Sequence, residues 1–294
     1  MSLGVTPELR QWLRQQSAAG CSPERLHASM VAAGWALPVA VAALAELEGE
    51  MPASDRLVPD IQVPDTQALR SDAIKAQAMP GLDLGQGAKV LHAGDRQVSV
   101  LMQMARPQIV LLGELLTAQE CQQLIDAARP RMARSLTVAS DSGGDEVNDD
   151  RTSSGMFFER AETPLVQQLE ARLAHLLHWP VERGEGLQVL RYGAGAEYKP
   201  HYDYFDPEEP GTARILRRGG QRLATVVIYL QEPARGGATS FPDVGLEVSP
   251  RQGQAVFFAY PQAAPSSLTL HGGAPVLEGE KWIATKWLRA GVFN

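Results

Sequence analysis

Six short apolar runs crowd the last third of the chain, and they constrain its fold more than any other feature. They are LQVLRYG (187–193), RLATVVIYLQ (222–231), GLEVSP (245–250), QAVFFAY (254–260), SLTLHG (267–272) and KWIATKWLR (281–289). Each is rich in β-branched or aromatic residues, and Gly- and Pro-rich turns separate them, the signature of strands. Many short strands preceded by helices point to a mainly β fold with flanking helices, a β-sandwich or jelly roll. Within RLATVVIYLQ the stretch LATVVIYL is apolar without alternation, so it reads as an internal strand.

The segments upstream supply the rest of that domain. KVLHAGDRQVSVLMQMARPQIVLL (89–112) reads as strands joined by a turn at Ala93-Gly94-Asp95. TAQECQQLIDAARPRM reads as a helix, with Thr117 as its cap and Glu120 three residues on, a capping box. An acidic, glycine-containing loop, DSGGDEVNDD (141–150), leads through RTSSGMFFE to a second helix, PLVQQLEARLAHLLHW. Near the N-terminus, Thr6-Pro7 and Ser22-Pro23 start two short helices, Gly34 is a natural stop, and a third short helix follows over 38–48. Residues 51–87 scatter Pro and Gly among polar residues, as linkers do. The expected organisation is a small N-terminal helical module at 1–50, a linker at 51–87 and one large domain at 88–294. The module either packs on the large domain or contacts a protein partner.

Composition narrows the function classes. With 44% apolar and 21% charged residues the chain is globular rather than disordered. A net charge of −7 argues against general nucleic-acid binding, which needs a basic surface. The only cysteines, Cys21 and Cys121, form no zinc-type pair and fit a reducing compartment. The start shows no basic segment followed by an apolar one, and the most apolar stretch, 30–47, is broken by Gly34 and Pro38. A cytoplasmic protein with no membrane contact is therefore expected.

The chemistry concentrates in EYKPHYDYF (197–205). On a strand, residues i and i+2 share a face, so His201 and Asp203 aim together. Two histidines and one carboxylate that leave coordination positions open form the facial triad of non-haem Fe(II) oxygenases. A third ligand is then needed from a distant strand. His27 belongs to the helical module, His92 lies by a hairpin turn, and His175 and His178 share a helix face without a carboxylate neighbour. His271, in SLTLHGG, sits at the end of an expected strand in the same β-rich region and is the best candidate. Ten residues on, alternation along KWIATKWLR puts Lys281, Ile283, Thr285 and Trp287 on one face, with Trp282 on the other. If the lysine face is the inner one, a buried ammonium needs an anion, which a dicarboxylate cosubstrate would supply. If it is the outer one, Trp282 fills the core instead.

YGAGAEYKPHYDYF, GGQRLATVVIYL, GGATSFPDVGLEVSPRQGQAVFF and HGGAPVLEGEKWIATKWL together resemble the iron- and 2-oxoglutarate-dependent prolyl 4-hydroxylases, bacterial types included. The resemblance runs in order from about residue 88 to the end. It implies a double-stranded β-helix (jelly-roll) core, with Fe(II) on His201, Asp203 and His271. It implies Lys281 on the distal carboxylate of 2-oxoglutarate, helped by hydroxyls of Tyr192 and Thr239, and ascorbate (vitamin C) as reductant. The implied reaction hydroxylates peptidyl proline, at C4, and releases succinate and CO2. In related halogenases a small residue vacates the position of Asp203, so a carboxylate there implies hydroxylation. On the substrate side the resemblance implies Tyr198, Arg222 and Trp287 as groove residues, and Arg151 as the anchor of a loop closing over a proline-containing peptide. The chain departs from many relatives at Arg289, where they carry histidine. Two rival readings remain at this stage: the same chemistry on a free amino acid or another protein side chain, and a non-catalytic binding module on the same barrel.

Overall fold

The computed structural model describes residues 79–134, 137–138, 145–146 and 152–294, together with residues 10, 13, 26, 43 and 44. Contacts divide the chain into a unit spanning Met1–Lys75 and a unit spanning Ala76–Asn294. The five described residues of the first unit are all helical. The remainder of the expected three-helix module lies outside the described residues, as do most of the acidic loop and Arg151. Residues 79–87, expected as linker, belong to the second unit. There the Gly81 amide donates to the Leu177 carbonyl at 3.0 Å, and Met79, Leu82 and Leu84 pack on the core.

In chain order the strands of the second unit begin with β1 (Val90–His92), β2 (Gln97–Met104), β3 (Gln108–Gly113), β4 (Ala133–Arg134), β5 (Thr137–Val138) and β6 (Asp145–Glu146). Next come β7 (Ser154–Phe158), β8 (Leu187–Tyr192), β9 (Tyr198–His201), β10 (Arg222–Gln231), β11 (Arg235–Gly236) and β12 (Thr239–Phe241). The last are β13 (Leu246–Val248), β14 (Ala255–Ala259), β15 (His271–Gly273), β16 (Val276–Glu278) and β17 (Lys281–Arg289). Three helices accompany them, α1 (Ala118–Ala128), α2 (Pro164–Leu177) and α3 (Thr212–Leu216). Nine strands form a large sheet in the order β1-β2-β3-β14-β10-β17-β8-β7-β4, and four form a small one, β13-β12-β15-β9. The pairings within both are antiparallel. This is the expected jelly roll.

Two cores lie on the two faces of the large sheet. One packs the sheet against α1 and α2 through Leu124, Ile125, Leu169, Leu173, Trp282 and Leu288. The other fills the space between the sheets with Val227, Tyr229, Phe241, Val248, Phe258 and Ile283. The strand period assigns the side chains of β10 and β17 to one core or the other, which is why both strands are buried along nearly their whole length. No helix among the described residues is long and apolar enough to cross a membrane.

Helix α1 starts as its sequence dictates. Thr117 accepts from the Glu120 amide at 3.1 Å, and the Glu120 carboxylate returns the bond to the Thr117 amide at 2.7 Å. Glu120 also meets Arg172 of α2 at 2.8 Å, so the cap is tied to the second helix. Thr117→Ala should therefore cost about 1 kcal/mol of stability, read as a lower urea midpoint at unchanged slope. An unchanged midpoint would show that the Glu120–Arg172 bond alone holds the helix start.

Two strand expectations need correction. SLTLHG does not run as a strand into His271. Pro265–Ser267 forms a 3-10 turn and Leu268 takes a left-handed backbone at φ 54, so pairing begins only at His271. Pro265 and the left-handed turn override the apolar composition. Conversely, Thr239–Phe241 forms a strand that its Gly-flanked sequence hid, because β13 and β15 pair with it on both sides.

Candidate active site

His201 and His271 face each other across the small sheet as a directly paired register position of β9 and β15. Strand β9 ends at His201, and Asp203 follows in a bend rather than on the strand itself. The pairing thus delivers the two imidazoles, and the bend turns the carboxylate onto them. Asp203 Oδ1 lies 3.6 Å from His201 Nε2, and Oδ2 lies 3.4 Å from His271 Nε2. The three donor atoms fall within 4.8 Å of one another, the one such His/Cys/Asp/Glu cluster among the described residues.

The surroundings prepare these groups as ligands. His201 Nδ1 lies 2.9 Å from the Lys199 carbonyl and His271 Nδ1 lies 2.9 Å from the Thr269 carbonyl. A carbonyl can only accept, so each Nδ1 carries a proton and Nε2 is the ring nitrogen turned to the cluster. Burial disfavours the charged form of Asp203, but the two imidazoles outweigh it and hold the carboxyl well below the usual carboxylate range. Burial and the neighbouring His271 push His201 down, towards the neutral ligand form. The Thr225 hydroxyl donates to Asp203 Oδ2 at 2.7 Å and itself lies 2.9 Å from the Tyr260 hydroxyl. Two imidazoles with supported second ring nitrogens and an ionised carboxylate fit a divalent metal with open positions. Thr225 and Tyr260 escaped sequence reasoning, because a threonine inside an apolar strand gives no hint of what its hydroxyl meets.

A cavity opens beside the cluster. His201, Asp203, His271, Tyr198 and Trp287 stand at its metal side, Tyr192, Thr239 and Lys281 also line it, and Leu190, Val227 and Ile283 add apolar surface. The four alternate residues of β17 named above do face inward together, while Trp282 lies in the helix-side core. Lys281 is 3% exposed, which places its ammonium out of water. It lies 5.6 Å from the Tyr192 ring and 5.9 Å from the Tyr229 ring, and no carboxylate or hydrogen-bond acceptor among the described residues pairs with it. Burial accordingly pushes its pKa down to about 8. Tyr229, which sequence reasoning also missed, donates from its hydroxyl to Thr239 Oγ1 at 2.8 Å and so orients that threonine.

The expected groove residues separate into two groups. Tyr198 stacks on the His201 ring at 3.7 Å and lines the cavity with Trp287. Arg222, expected to reach a peptide carbonyl, instead forks onto both oxygens of Glu185 at 2.7 and 2.9 Å. Its charge is already paired where it stands. His175 and His178, the alternative ligand pair, are brought to no carboxylate among the described residues. His178 ends α2 in the left-handed conformation, and His175 packs edge-on against His92 at 5.8 Å.

The chain is similar in sequence to known proteins. Residues 187–289 match the family model described as the 2OG-Fe(II) oxygenase superfamily. Probable prolyl 4-hydroxylase 3 of Arabidopsis thaliana is 38% identical over 222 residues, covering 68% of this chain and 75% of the relative. Prolyl 4-hydroxylase 1 of the same plant is 41% identical over 202 residues, covering 62% and 69% respectively. Among solved structures, the viral collagen prolyl hydroxylase of Paramecium bursaria Chlorella virus-1 in its 2OG complex is 29% identical with a TM-score of 0.48, covering 62% of this chain and 95% of that one. With a His-Asp-His cluster at one end of its cavity and an uncompensated lysine lining the same cavity, the chain belongs to the prolyl 4-hydroxylase family of Fe(II)- and 2-oxoglutarate-dependent dioxygenases.

Proposed function

We propose that this chain hydroxylates proline residues within a peptide or protein, at C4, with Fe(II) held by His201, Asp203 and His271. The observation that carries the reading is a buried lysine without an anion, lining the same cavity as a two-histidine, one-carboxylate cluster. The Fe(II)–2-oxoglutarate pair, when bound, couples loss of CO2 from 2-oxoglutarate to insertion of one oxygen atom of O2 into a C–H bond, the other atom ending in succinate.

The chain's own residues do the positioning. Lys281, with the Thr239 and Tyr192 hydroxyls near it, would hold the far carboxylate of 2-oxoglutarate, a charge-assisted contact in a water-poor site. His201, Asp203 and His271 would hold the metal, and a set of only two histidines and one carboxylate would let it take further ligands such as the keto acid and O2. Tyr198 and Trp287 offer aromatic faces suited to a pyrrolidine ring. Leu190, Val227 and Ile283 keep water from the reacting centre. Arg151 is proposed as an anchor of a peptide-closing loop on the sequence alone. Ascorbate is proposed as the reductant that keeps the iron ferrous between turnovers, and the sparse cysteine content supports a cytoplasmic location.

The test supplies Fe(II), 2-oxoglutarate, ascorbate and a library of proline-containing peptides beside a panel of free amino acids. Succinate release coupled to a one-oxygen mass gain on a peptide prolyl residue is the expected result. Oxygen gain confined to free amino acids would replace the substrate class, and the absence of any succinate would end the reading.

A further inference from the structure

Glu185 is buried, and two guanidinium groups converge on it. Arg222 takes both of its oxygens, and Arg289 Nη1 reaches Oε1 at 3.1 Å. The same two arginines alternate with aromatic rings. Arg222 lies 4.0 Å from the Trp287 centroid and 4.7 Å from Phe205, and Arg289 lies 5.0 Å from Phe205 and 5.3 Å from Phe293. Arg218 closes the row, 4.1 Å from Phe293. One end of the row is a wall of the cavity, and the other is the C-terminal segment.

The middle of the row is tied to the metal side. Phe205 is two residues beyond Asp203, and Arg222 Nη1 also donates to the Asp203 carbonyl at 3.3 Å. Arg289 spends its remaining fork on the Ile215 carbonyl at 3.2 Å and on the Arg218 carbonyl, at the C-terminal end of α3. Gly219, at φ +81, makes this approach possible. A Cβ there would come within 3.0 Å of Phe293 and 3.2 Å of Arg289 Nε.

Two buried cations on one carboxylate are costly unless further partners take up the second charge. Here the aromatic faces and the two carbonyls offset part of that cost, while Arg289 Nε is buried with no hydrogen-bond partner among the described residues. With Arg289 also on Phe205 and sharing Glu185, the guanidinium of Arg222 lies against Phe205 and Trp287 while bonded to the same carboxylate. We propose that Arg289 is a positioning residue for this reaction, acting through Glu185 and Phe205 to hold Arg222 on Trp287 and so to set the peptide-side wall of the cavity. The proposal rests on the peptide-hydroxylase reading for its kinetic consequence, but its structural consequence is independent of substrate.

Arg289→Gln removes the cation and leaves Glu185 paired with Arg222, so the carboxylate is not orphaned. The peptide KM should rise about thirtyfold, the worth of a desolvated cation–π contact, while the 2-oxoglutarate KM stays within about twofold. Phe293→Ala, a milder change at the end of the row, should move the peptide KM the same way by less, and Arg289→Lys should restore part of it. Independently of activity, the emission of Trp287, isolated as the difference between each protein and its Trp287→Phe counterpart, should change in Arg289→Gln. A folded Arg289→Gln protein with unchanged peptide KM and unchanged Trp287 emission overturns the proposal. So does a lower melting temperature with no kinetic or spectral change, which would make Arg289 structural only. Failure of the hydroxylase reading would appear elsewhere, in a parent enzyme that leaves peptides unmodified, with the Trp287 signal still deciding the role of Arg289.

Discussion

Asp203→Ala should reduce succinate formation to background while leaving the metal-free protein folded. The carboxylate supplies the one anionic donor of the cluster. Its loss leaves two imidazoles and a hydroxyl, Thr225, that still has Tyr260 as partner. No buried charge is orphaned, so the cost that usually follows removal of half an ion pair does not arise. His271→Ala should behave alike, for it removes a donor from the opposite strand. The decisive measurement is the melting temperature with and without Fe(II) and 2-oxoglutarate. In the parent, a ligand at one hundred times its Kd stabilises by about 2.7 kcal/mol, and in Asp203→Ala that gain should vanish. Thr225→Val separates ligand from support. It keeps the carboxylate but frees its orientation, and should weaken metal binding about ten- to a hundredfold. Full turnover by Asp203→Ala would remove this residue from the metal shell and the assignment with it.

How far such a site can be read from sequence depends on which forces place each residue. Strand alternation placed Lys281, Ile283, Thr285 and Trp287 on one face of β17, and burial on both sides of that strand leaves the pattern no freedom to slip. For His201 and Asp203 the same rule reached the right outcome by an incomplete route, since β9 stops at His201 and a bend carries the carboxylate. His271 was reached by elimination among six histidines, although the strand leading into it does not exist. What stayed hidden depends on contacts between residues far apart in the chain. Thr225 and Asp203 are separated by 22 positions, Glu185 and Arg289 by 104. An arginine looks alike in sequence whether it faces a peptide or a buried glutamate, so the pairing of Arg222 with Glu185 leaves no mark there.

Lys281→Met should raise the 2-oxoglutarate KM about ten- to 150-fold, the equivalent of a charged hydrogen bond worth about 1.5–3 kcal/mol. The turnover number at saturating cosubstrate should change little, because the lysine grips a part of the molecule remote from the reacting carbon. The pH dependence gives a sharper test. Burial brings the ammonium to a pKa of about 8. The side chain is therefore charged below that pH and neutral above it in the empty site, and the anion requires the charged form. Affinity should be flat below pH 8 and fall about tenfold per unit above it, with a proton taken up on binding. Tyr229, whose ring lies 5.9 Å from the ammonium, does not contribute, since burial raises its phenol out of this range. The sign for stability runs the other way. A lysine whose pKa is lower when folded than when unfolded binds fewer protons in the folded state, so the cosubstrate-free protein gains stability as pH rises from about 8 towards the ordinary lysine value. At neutral pH, Lys281→Met should then melt higher than the parent without cosubstrate and gain less from adding it. Calorimetric titration of both proteins across this pH range decides the matter. A parent affinity that is level through pH 9, or a Lys281→Met affinity that equals it, would place the carboxylate of 2-oxoglutarate somewhere other than on this ammonium.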